Sequence, residues 1–359
     1  MEKKIFWVTL VLIIFGLIAL SSAGIIEGEK RFGSSYYFVK HQLIFSVLPG
    51  LVILYVLSRI DYKMWRKLAL PVLFVALALM ILVFVPGIGL KLKNAQSWIS
   101  IYGQTLQPAE LLKLALVIYF AAWFGGRDER IKNWSYGIIP FFVVIGFIGL
   151  LLMRQPDLGT LIIVVLIALG VYLVAGVKWR DFAVMILVGV VIFGGLIFLE
   201  PYRLDRIRTF LNPTLDPRGI SYQVNQSMIA IGSGGLFGVG FGKSTQKLGG
   251  FLPEPVGDSI FAVIAEELGF LGAGSVIAAF LLLSFFLAQT AMKVGDKFAK
   301  LYLMGINTWI MAQAFINIAA ITGVGPLTGL PLPFISFGGT AMISLLAGIG
   351  IAMNIAKRV

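Results

Sequence analysis

Long apolar blocks alternate with short polar segments along the whole chain. A helix needs about 20 apolar residues to cross a bilayer, and most of the blocks approach that length. The pattern predicts ten membrane spans, at residues 5–25, 43–58, 68–85, 108–124, 137–153, 158–175, 182–199, 258–289, 301–321 and 340–355. One long polar loop, residues 200–257, separates the seventh span from the eighth. We therefore predict an all-α, polytopic membrane protein in which residues 1–359 form a single membrane domain.

Composition strengthens this prediction. The chain is 59% hydrophobic and 13% charged, whereas soluble domains average about 25% charged residues. It contains no cysteine, which excludes a disulfide framework and a thiolate metal site. The net charge is +12, but the basic residues are scattered through short loops. Such scatter argues against a nucleic-acid partner and favours topology signals and contact with lipid head groups.

Lysine and arginine are unequally divided between the two sides of the predicted membrane. If the N-terminus is cytoplasmic, the cytoplasmic segments hold sixteen of them and the short outer segments hold six. The positive-inside rule then places both termini in the cytoplasm and the 200–257 loop outside. A patch of six basic residues lies in that loop: Arg203, Arg206, Arg208, Arg218, Lys243 and Lys247. On charge alone, binding of a lipid phosphate and simple contact with lipid head groups are equally good interpretations.

Two outer segments have local structure of their own. Residues 221–231 form a predicted amphipathic helix, with Gln223 and Gln226 on one face. The glycine-rich stretch that follows, which contains Ser233, is either a nest of backbone N–H groups for phosphate oxygens or a flexible turn. Residues 86–107 alternate apolar and polar positions, which predicts a short hairpin or a re-entrant segment.

Charged residues are rare within the spans. Glu110 and Lys113 lie three residues apart, on one face of the fourth span. Because a lone charge at mid-bilayer costs about 2.5–3.5 kcal/mol, a structural ion pair is one interpretation. Support of a catalytic group is the other. Asp157 precedes the sixth span directly, where a helix cap is expected.

Asp258 occupies an unusual position for a carboxylate. Two prolines and Gly257 end any preceding helix, and the apolar pattern then runs over residues 258–289. A helix of that length measures about 48 Å, whereas the hydrocarbon core is about 30 Å thick. Asp258 therefore lies at a helix start beyond the core, where it is either a cap or an ionised general base. Glu266 and Glu267, two turns further on, are expected to support helix packing.

Five ordered motifs resemble the SEDS family (shape, elongation, division and sporulation), in particular its RodA members. The motifs are QPAELLK (107–113), RQPDLGT (154–160), RIRTFLNPTLDPRGISYQVNQSMIAIGSGGLFGVGFG (206–242), FLPEPVGDSIFAVIAEELGFLG (251–272) and TGLPLPFISFGGT (328–340). Two positions depart from the commonest family forms, with Ala109 in place of serine and Phe337 in place of tyrosine. Neither departure removes a charged site residue.

The resemblance implies a peptidoglycan glycosyltransferase at the outer face of the cytoplasmic membrane. Such proteins polymerise lipid II into β-1,4-linked glycan, with inversion and release of undecaprenyl pyrophosphate. The family's essential aspartate corresponds to Asp258, and its charged pair to Glu110 and Lys113. The six basic residues of the 200–257 loop are the candidates for stabilising the pyrophosphate. No cofactor is certain, although a divalent cation, Mg or Mn, is an alternative carrier of that positive charge.

Other interpretations stay open. A lipid II flippase would use the buried charges as a path, although transporters concentrate polar groups near the bilayer midplane. A scaffold role is compatible with catalysis, and a division-type (FtsW-like) member is an alternative to the predicted role in elongation and rod shape. The resemblance implies lipid II and the nascent glycan strand as substrates, and a class B penicillin-binding protein and other elongation-complex membrane proteins as partners.

Overall fold

The computed structural model describes residues 1–92, 95–101, 103–126, 134–198, 201–212, 216, 219 and 221–359. Helices dominate this part of the chain. Their bounds are α1 Glu2–Ala23, α2 Ile25–Phe32, α3 Tyr37–Gln42, α4 Leu48–Arg59, α5 Tyr62–Lys67, α6 Ala69–Leu82, α7 Pro108–Gly125, α8 Trp134–Arg154, α9 Leu158–Val174, α10 Trp179–Phe198, α11 Pro201–Leu211, α12 Tyr222–Ser233, α13 Thr245–Leu248, α14 Ile260–Lys293, α15 Lys297–Ile321 and α16 Gly339–Ala356. A π-helical segment, Leu43–Val47, joins α3 to α4.

Each of the ten predicted spans coincides with a helical stretch of the described residues. Seven stretches are long and apolar enough to cross a membrane, and Tyr37–Arg59 counts as one of them. Three shorter apolar helices, Ala69–Leu82, Phe141–Arg154 and Leu158–Val174, account for the remaining three predictions. The predicted fold class, an all-α polytopic membrane protein, is therefore confirmed.

The eighth span differs from its prediction in one respect. The helix runs over Ile260–Lys293, but Gly269 inside it has φ 67° and ψ −166°, which breaks the helix there. The sequence pattern predicts no break, because the apolar residues continue on both sides and glycine is common in spans for packing reasons.

The central helices of the bundle are α7, α15 and α16. Helix α16 packs against α4 and α7, and α15 packs against α7, α9 and α14. The large side chains of Tyr172, Tyr302 and Trp309 are fully buried among them. Helix α10 instead exposes apolar side chains such as Leu187 and Val190, as expected for a helix that faces lipid.

Two further elements lie beside the bundle. Strands β1 (Gly89–Leu92), β2 (Ala95–Ile101) and β3 (Gln104–Leu106) form an antiparallel sheet, so the predicted hairpin is present with a third strand added. Helix α12 coincides with the predicted amphipathic helix and packs against α14 and α15.

Candidate functional site

A cavity of about 560 Å³ opens at one end of the bundle. Its wall brings together the β-sheet, the N-terminal ends of α7 and α9, the loop before α14 and the loop between α15 and α16. The lining residues are Ser97, Trp98, Gln107, Glu110, Pro156, Asp157, Thr160, Arg206, Gln223, Glu254, Gly257, Asp258, Thr328, Gly329, Leu330, Pro331, Phe337, Gly338, Gly339, Thr340 and Ala341. Five residues selected from the sequence therefore meet here: Glu110, Asp157, Arg206, Gln223 and Asp258.

Asp258 is held in this wall by amide groups from two other helices. Gln223 of α12 donates its Nε2–H to Asp258 Oδ1 at 3.1 Å and to Ser259 Oγ at 3.1 Å. Asn317 of α15 donates its Nδ2–H to the Asp258 backbone carbonyl at 2.8 Å. The Ser336 hydroxyl donates to the neighbouring Gly257 carbonyl at 2.7 Å. Side chain and backbone are thus fixed separately, which orients the carboxylate toward the cavity.

The position of Asp258 relative to α14 differs from the prediction. The helix begins at Ile260, Ser259 occupies the N-cap position, and the Ser259 side chain makes no capping hydrogen bond. Asp258 belongs to the turn that precedes the helix, one residue before the N-cap position. Asp258 also lines the cavity, and its roles as a cap and as a general base both stay predictions.

The predicted ion pair between Glu110 and Lys113 is present. Lys113 Nζ lies 2.6 Å from Glu110 Oε1, and both side chains are buried. The same ammonium donates to Gln313 Oε1 at 2.8 Å and lies 5.3 Å from the centre of the Trp309 ring. Glu110 reaches the cavity wall, whereas Lys113 lies behind it and neutralises it from within the bundle.

Asp157 both lines the cavity and caps α9, as predicted. The Thr160 backbone N–H donates to Asp157 Oδ1 at 2.9 Å, and the Thr160 hydroxyl donates to Oδ2 at 2.7 Å. The cap accounts for the presence of a carboxylate at this position. Asp157 is also a candidate site residue by its place in the sequence motif, and that role stays a prediction.

The four basic candidates whose side chains the structure describes lie in different surroundings. Arg206 lines the cavity and donates to the Leu327 carbonyl at 3.0 Å. Arg208 is exposed beside Asp205, and Lys243 is exposed elsewhere in the loop. Lys247 is buried, and its ammonium lies 2.5 Å from Glu267. The side chain of Arg203 and the whole of Arg218 lie outside the described residues.

Two other candidates lie away from the cavity wall. Gln226 is one turn beyond Gln223 on α12 but is not among the lining residues. The Ser233 hydroxyl donates to the Ala230 carbonyl at 2.8 Å within the same helix. The suggested phosphate nest around Ser233 stays a prediction.

The described lining of the cavity carries more acidic than basic side chains. In the described lining, the carboxylates of Glu110, Asp157, Glu254 and Asp258 face a single guanidinium, that of Arg206. Across the described part of the chain, no group of three or more His, Cys, Asp or Glu side chains is placed to hold a metal ion.

Sequence reasoning missed the amides of α15. Gln313 accepts from Lys113 and donates to the Pro331 carbonyl at 2.9 Å, while Asn317 donates to the Leu330 carbonyl at 2.7 Å. The two residues lie four apart inside an apolar helix, and this spacing places them on one face. An uncharged polar pair inside a span is a usable signal, because buried amides need partners.

Glu254 is a second missed residue. It lines the cavity between two prolines, and its φ of +47° is in the left-handed region that non-glycine residues rarely adopt. Strain of this kind costs about 1–3 kcal/mol and is concentrated at functional sites. The motif around Asp258 includes Glu254, but nothing in the residue pattern distinguishes it from a solvated loop acid.

Comparison with known proteins identifies the family. A family model described as "Cell cycle protein" (FtsW, RodA, SpoVE) matches residues 3–359. The chain is 40% identical over 341 residues to a probable peptidoglycan glycosyltransferase FtsW of Trichlorobacter lovleyi, covering 95% of this chain and 89% of that protein. It is 35% identical over 350 residues to stage V sporulation protein E of Bacillus subtilis, covering 98% and 95%. The chain belongs to the FtsW/RodA/SpoVE family, also called SEDS.

Solved structures agree with this assignment. A chain from a study of "structural coordination of polymerization and crosslinking by a peptidoglycan synthase complex" aligns with a TM-score of 0.81 and 27% identity, covering 99% of this chain and 97% of that chain. Crystallised RodA of Thermus thermophilus, an aspartate-to-alanine mutant, aligns with a TM-score of 0.73 and 25% identity, covering 98% and 96%. The family is thus supported by fold and sequence together, whereas the predicted RodA subgroup is not singled out.

Proposed function

We propose that the protein is a peptidoglycan glycosyltransferase that polymerises lipid II. The observation that carries the proposal is the position of Asp258 at the wall of a cavity large enough for sugar groups, where Gln223 donates to its carboxylate and Asn317 to its backbone carbonyl. Relatives that match nearly the whole chain are named as probable enzymes of this class.

Asp258 serves as the general base in this proposal. It accepts the proton of the acceptor's 4-hydroxyl, whose oxygen bonds to the anomeric carbon of the lipid-linked donor. The bond from that carbon to the pyrophosphate breaks, the configuration inverts, and undecaprenyl pyrophosphate leaves. A positioned base of this kind contributes about 10²–10⁴-fold to the rate.

The leaving pyrophosphate requires positive charge. Arg206 is the described cavity residue best suited to the task, since its guanidinium is held at the wall by the Leu327 carbonyl. Preorganised cations stabilise charge that develops in the transition state, and they act most strongly where water is excluded. Arg203 and Arg218 stay candidates by their place in the sequence.

The proposal also covers the orientation of the protein in the membrane and its partner protein. The lysine and arginine distribution supports a multi-pass protein of the cytoplasmic membrane, with cytoplasmic termini and the cavity on the extracytoplasmic face. The similar chain from a peptidoglycan synthase complex supports a class B penicillin-binding protein as partner.

The cellular role is elongation in our sequence-based prediction, and division is its alternative. Relatives named FtsW and SpoVE are 40% and 35% identical to this chain, and the solved RodA is 25% identical. The comparisons therefore fit a role in division about as well as a role in elongation. Complementation of conditional elongation and division mutants, each depleted of its own family member, distinguishes the roles.

The activity itself is tested with purified protein in detergent and lipid II as the only substrate. We expect glycan polymer from the wild type and none from Asp258→Ala at equal folded concentration. A flippase moves its substrate between compartments and makes no polymer in detergent. Lack of product from a folded, monodisperse wild type, with and without added divalent cation, would overturn the enzyme assignment.

A further inference from the structure

The segment Gly234–Gly242, GGLFGVGFG, presents a bare apolar surface. Leu236, Phe237 and Phe241 are 62%, 78% and 51% exposed, and no residue of the segment has a charged or hydrogen-bonding side chain. The segment belongs to the long loop that was expected to be polar. Exposed apolar surface of this extent marks a contact with membrane or protein.

The backbone of this segment pairs with the break in α14. Gly235 and Leu236 carbonyls accept from the backbone N–H groups of Phe270 and Leu271, at 2.8 and 3.2 Å. In the other direction, the N–H groups of Val239 and Gly240 donate to the Glu266 and Glu267 carbonyls at 2.9 and 3.1 Å. These four bonds satisfy groups that the non-helical Gly269 removes from the helix ladder. Broken helix backbone at membrane depth requires such partners.

The break lies at the edge of the hydrocarbon region. Glu266 and Glu267 precede it, and the helix then continues without a charged residue from Phe270 to Met292. That stretch measures about 34 Å at 1.5 Å per residue, close to the thickness of the hydrocarbon core. Phe270 and Leu271 begin this uncharged stretch, next to the break, and are 69% and 57% exposed. The segment bonded to them is therefore at the level of the first acyl carbons.

We propose that Gly234–Gly242 is a membrane-inserted loop whose side chains enter the acyl chains of the leaflet nearest Asp258. Lipid is the occupant that fits, because the exposed face of the segment continues into the exposed face of a membrane-spanning helix, at Phe270 and Leu271. The depth of the loop does not depend on the catalytic proposal.

The insertion has a consequence for the site. Helix α12 directly precedes the loop and carries Gln223, which donates to Asp258. An apolar anchor at the end of α12 sets the height of that helix, and hence of Gln223, relative to the membrane. A lipid-linked substrate arrives in the same leaflet, so its sugars would meet Asp258 at a fixed level above the acyl chains.

Site-directed labelling tests the depth directly, because the natural chain has no cysteine. Single-cysteine variants Phe237→Cys and Phe270→Cys are spin-labelled in liposomes of bacterial lipids, with Glu29→Cys as the aqueous reference and Leu281→Cys as the deep reference. We expect the label at position 237 to be as accessible to oxygen as the label at position 270, and both values to lie between those of the two references. At both positions, collisions with a water-soluble nickel chelate should be fewer than at position 29. If the label at position 237 is as accessible to the nickel chelate as the label at position 29, the proposal is overturned. Shielding of position 237 from both oxygen and the nickel chelate would also overturn it, because it indicates that protein rather than lipid covers the loop.

A second pair of variants tests the bonding. A methyl group on Gly238, at φ +82°, would overlap the Glu267 carbonyl, whereas one on Gly232 meets open space. We expect Gly238→Ala to shift a label at Phe241→Cys toward nickel accessibility, and Gly232→Ala to leave it unchanged. If neither substitution changes the nickel accessibility of the label at position 241, the backbone pairing between the loop and α14 is contradicted. If Gly238→Ala fails to fold, the depth of residue 237 still decides the proposal.

Discussion

Asp258 and the pair Glu266–Glu267 lie within one short stretch of chain but in opposite surroundings. Glu266 accepts from the Ser244 hydroxyl at 2.5 Å, from the Thr245 hydroxyl at 2.8 Å and from the Thr245 backbone N–H at 2.7 Å. Glu267 accepts from Lys247 and from the Ser22 hydroxyl. Both glutamates are buried. Asp258 instead faces a cavity of about 560 Å³.

The comparison separates two structural carboxylates from the proposed general base. Glu266 and Glu267 hold the loop around α13 against α14 and α1, and their oxygens are occupied by protein donors. A carboxylate saturated in this way has no capacity left for a substrate proton. Asp258 is oriented by protein groups and directed toward open volume, which is what a general base requires.

The largest expected effect is loss of activity in Asp258→Asn. Asparagine keeps the shape and can still accept from Gln223, but it cannot take a proton at this step. We expect polymerisation to fall by about 10²–10⁴-fold, with an unchanged unfolding temperature. Measurement of both quantities on one preparation checks this. If Asp258→Asn polymerises lipid II nearly as fast as the wild type, another group must be the general base.

The next effect is on stability. Lys247→Met leaves Glu267 buried without its cation, which we expect to cost about 3–5 kcal/mol in the free energy of unfolding. Lys243→Met, four residues earlier and exposed, is the matched control and should change little. Thermal unfolding in detergent compares the two variants. Equal unfolding temperatures would show that the buried pair is not needed for the fold.

Gln223→Leu should have an intermediate effect on activity. Hydrogen bonds to charged groups contribute about 1.5–3 kcal/mol, so we expect a roughly tenfold to hundredfold slower reaction. Gln226→Leu, one turn away, is the control. The loss should appear in kcat more than in KM, because Gln223 orients the carboxylate. A rate equal to that of Gln226→Leu would mean that this hydrogen bond does not position the base.

The smallest effect concerns Asp61, an exposed carboxylate at the opposite end of the bundle. The Lys63 backbone N–H, at 2.9 Å, and then Arg358 lower the pKa of Asp61 below its ordinary value of 3.8. A lowered pKa means that its contribution to stability is present above pH 3.8 and is lost as pH falls through the lowered value. Asp61→Ala should lower the unfolding temperature slightly at neutral pH. The difference in unfolding temperature between the wild type and Asp61→Ala should disappear at acid pH. A difference that grows at acid pH would contradict the lowered pKa of Asp61.

Sequence reasoning predicted the bundle well because membrane spans are specified by long apolar runs. It also predicted that Glu110 and Lys113 pair and that Asp157 caps a helix, since both are local relationships. It did not separate Lys247 from the other loop cations, because the partner of Lys247 lies twenty residues away at Glu267. The break at Gly269 was missed for the same reason: only the returning 234–242 segment makes it favourable.

The most direct test of the account is the polymerisation rate per folded molecule of two variants made in parallel, Asp258→Asn and Glu267→Gln. We predict that Asp258→Asn folds normally and has almost no activity per folded molecule. Glu267→Gln should yield less folded protein, while each folded molecule keeps activity close to that of the wild type. An active Asp258→Asn, or a well-folded but inactive Glu267→Gln, would contradict the division of roles between these carboxylates.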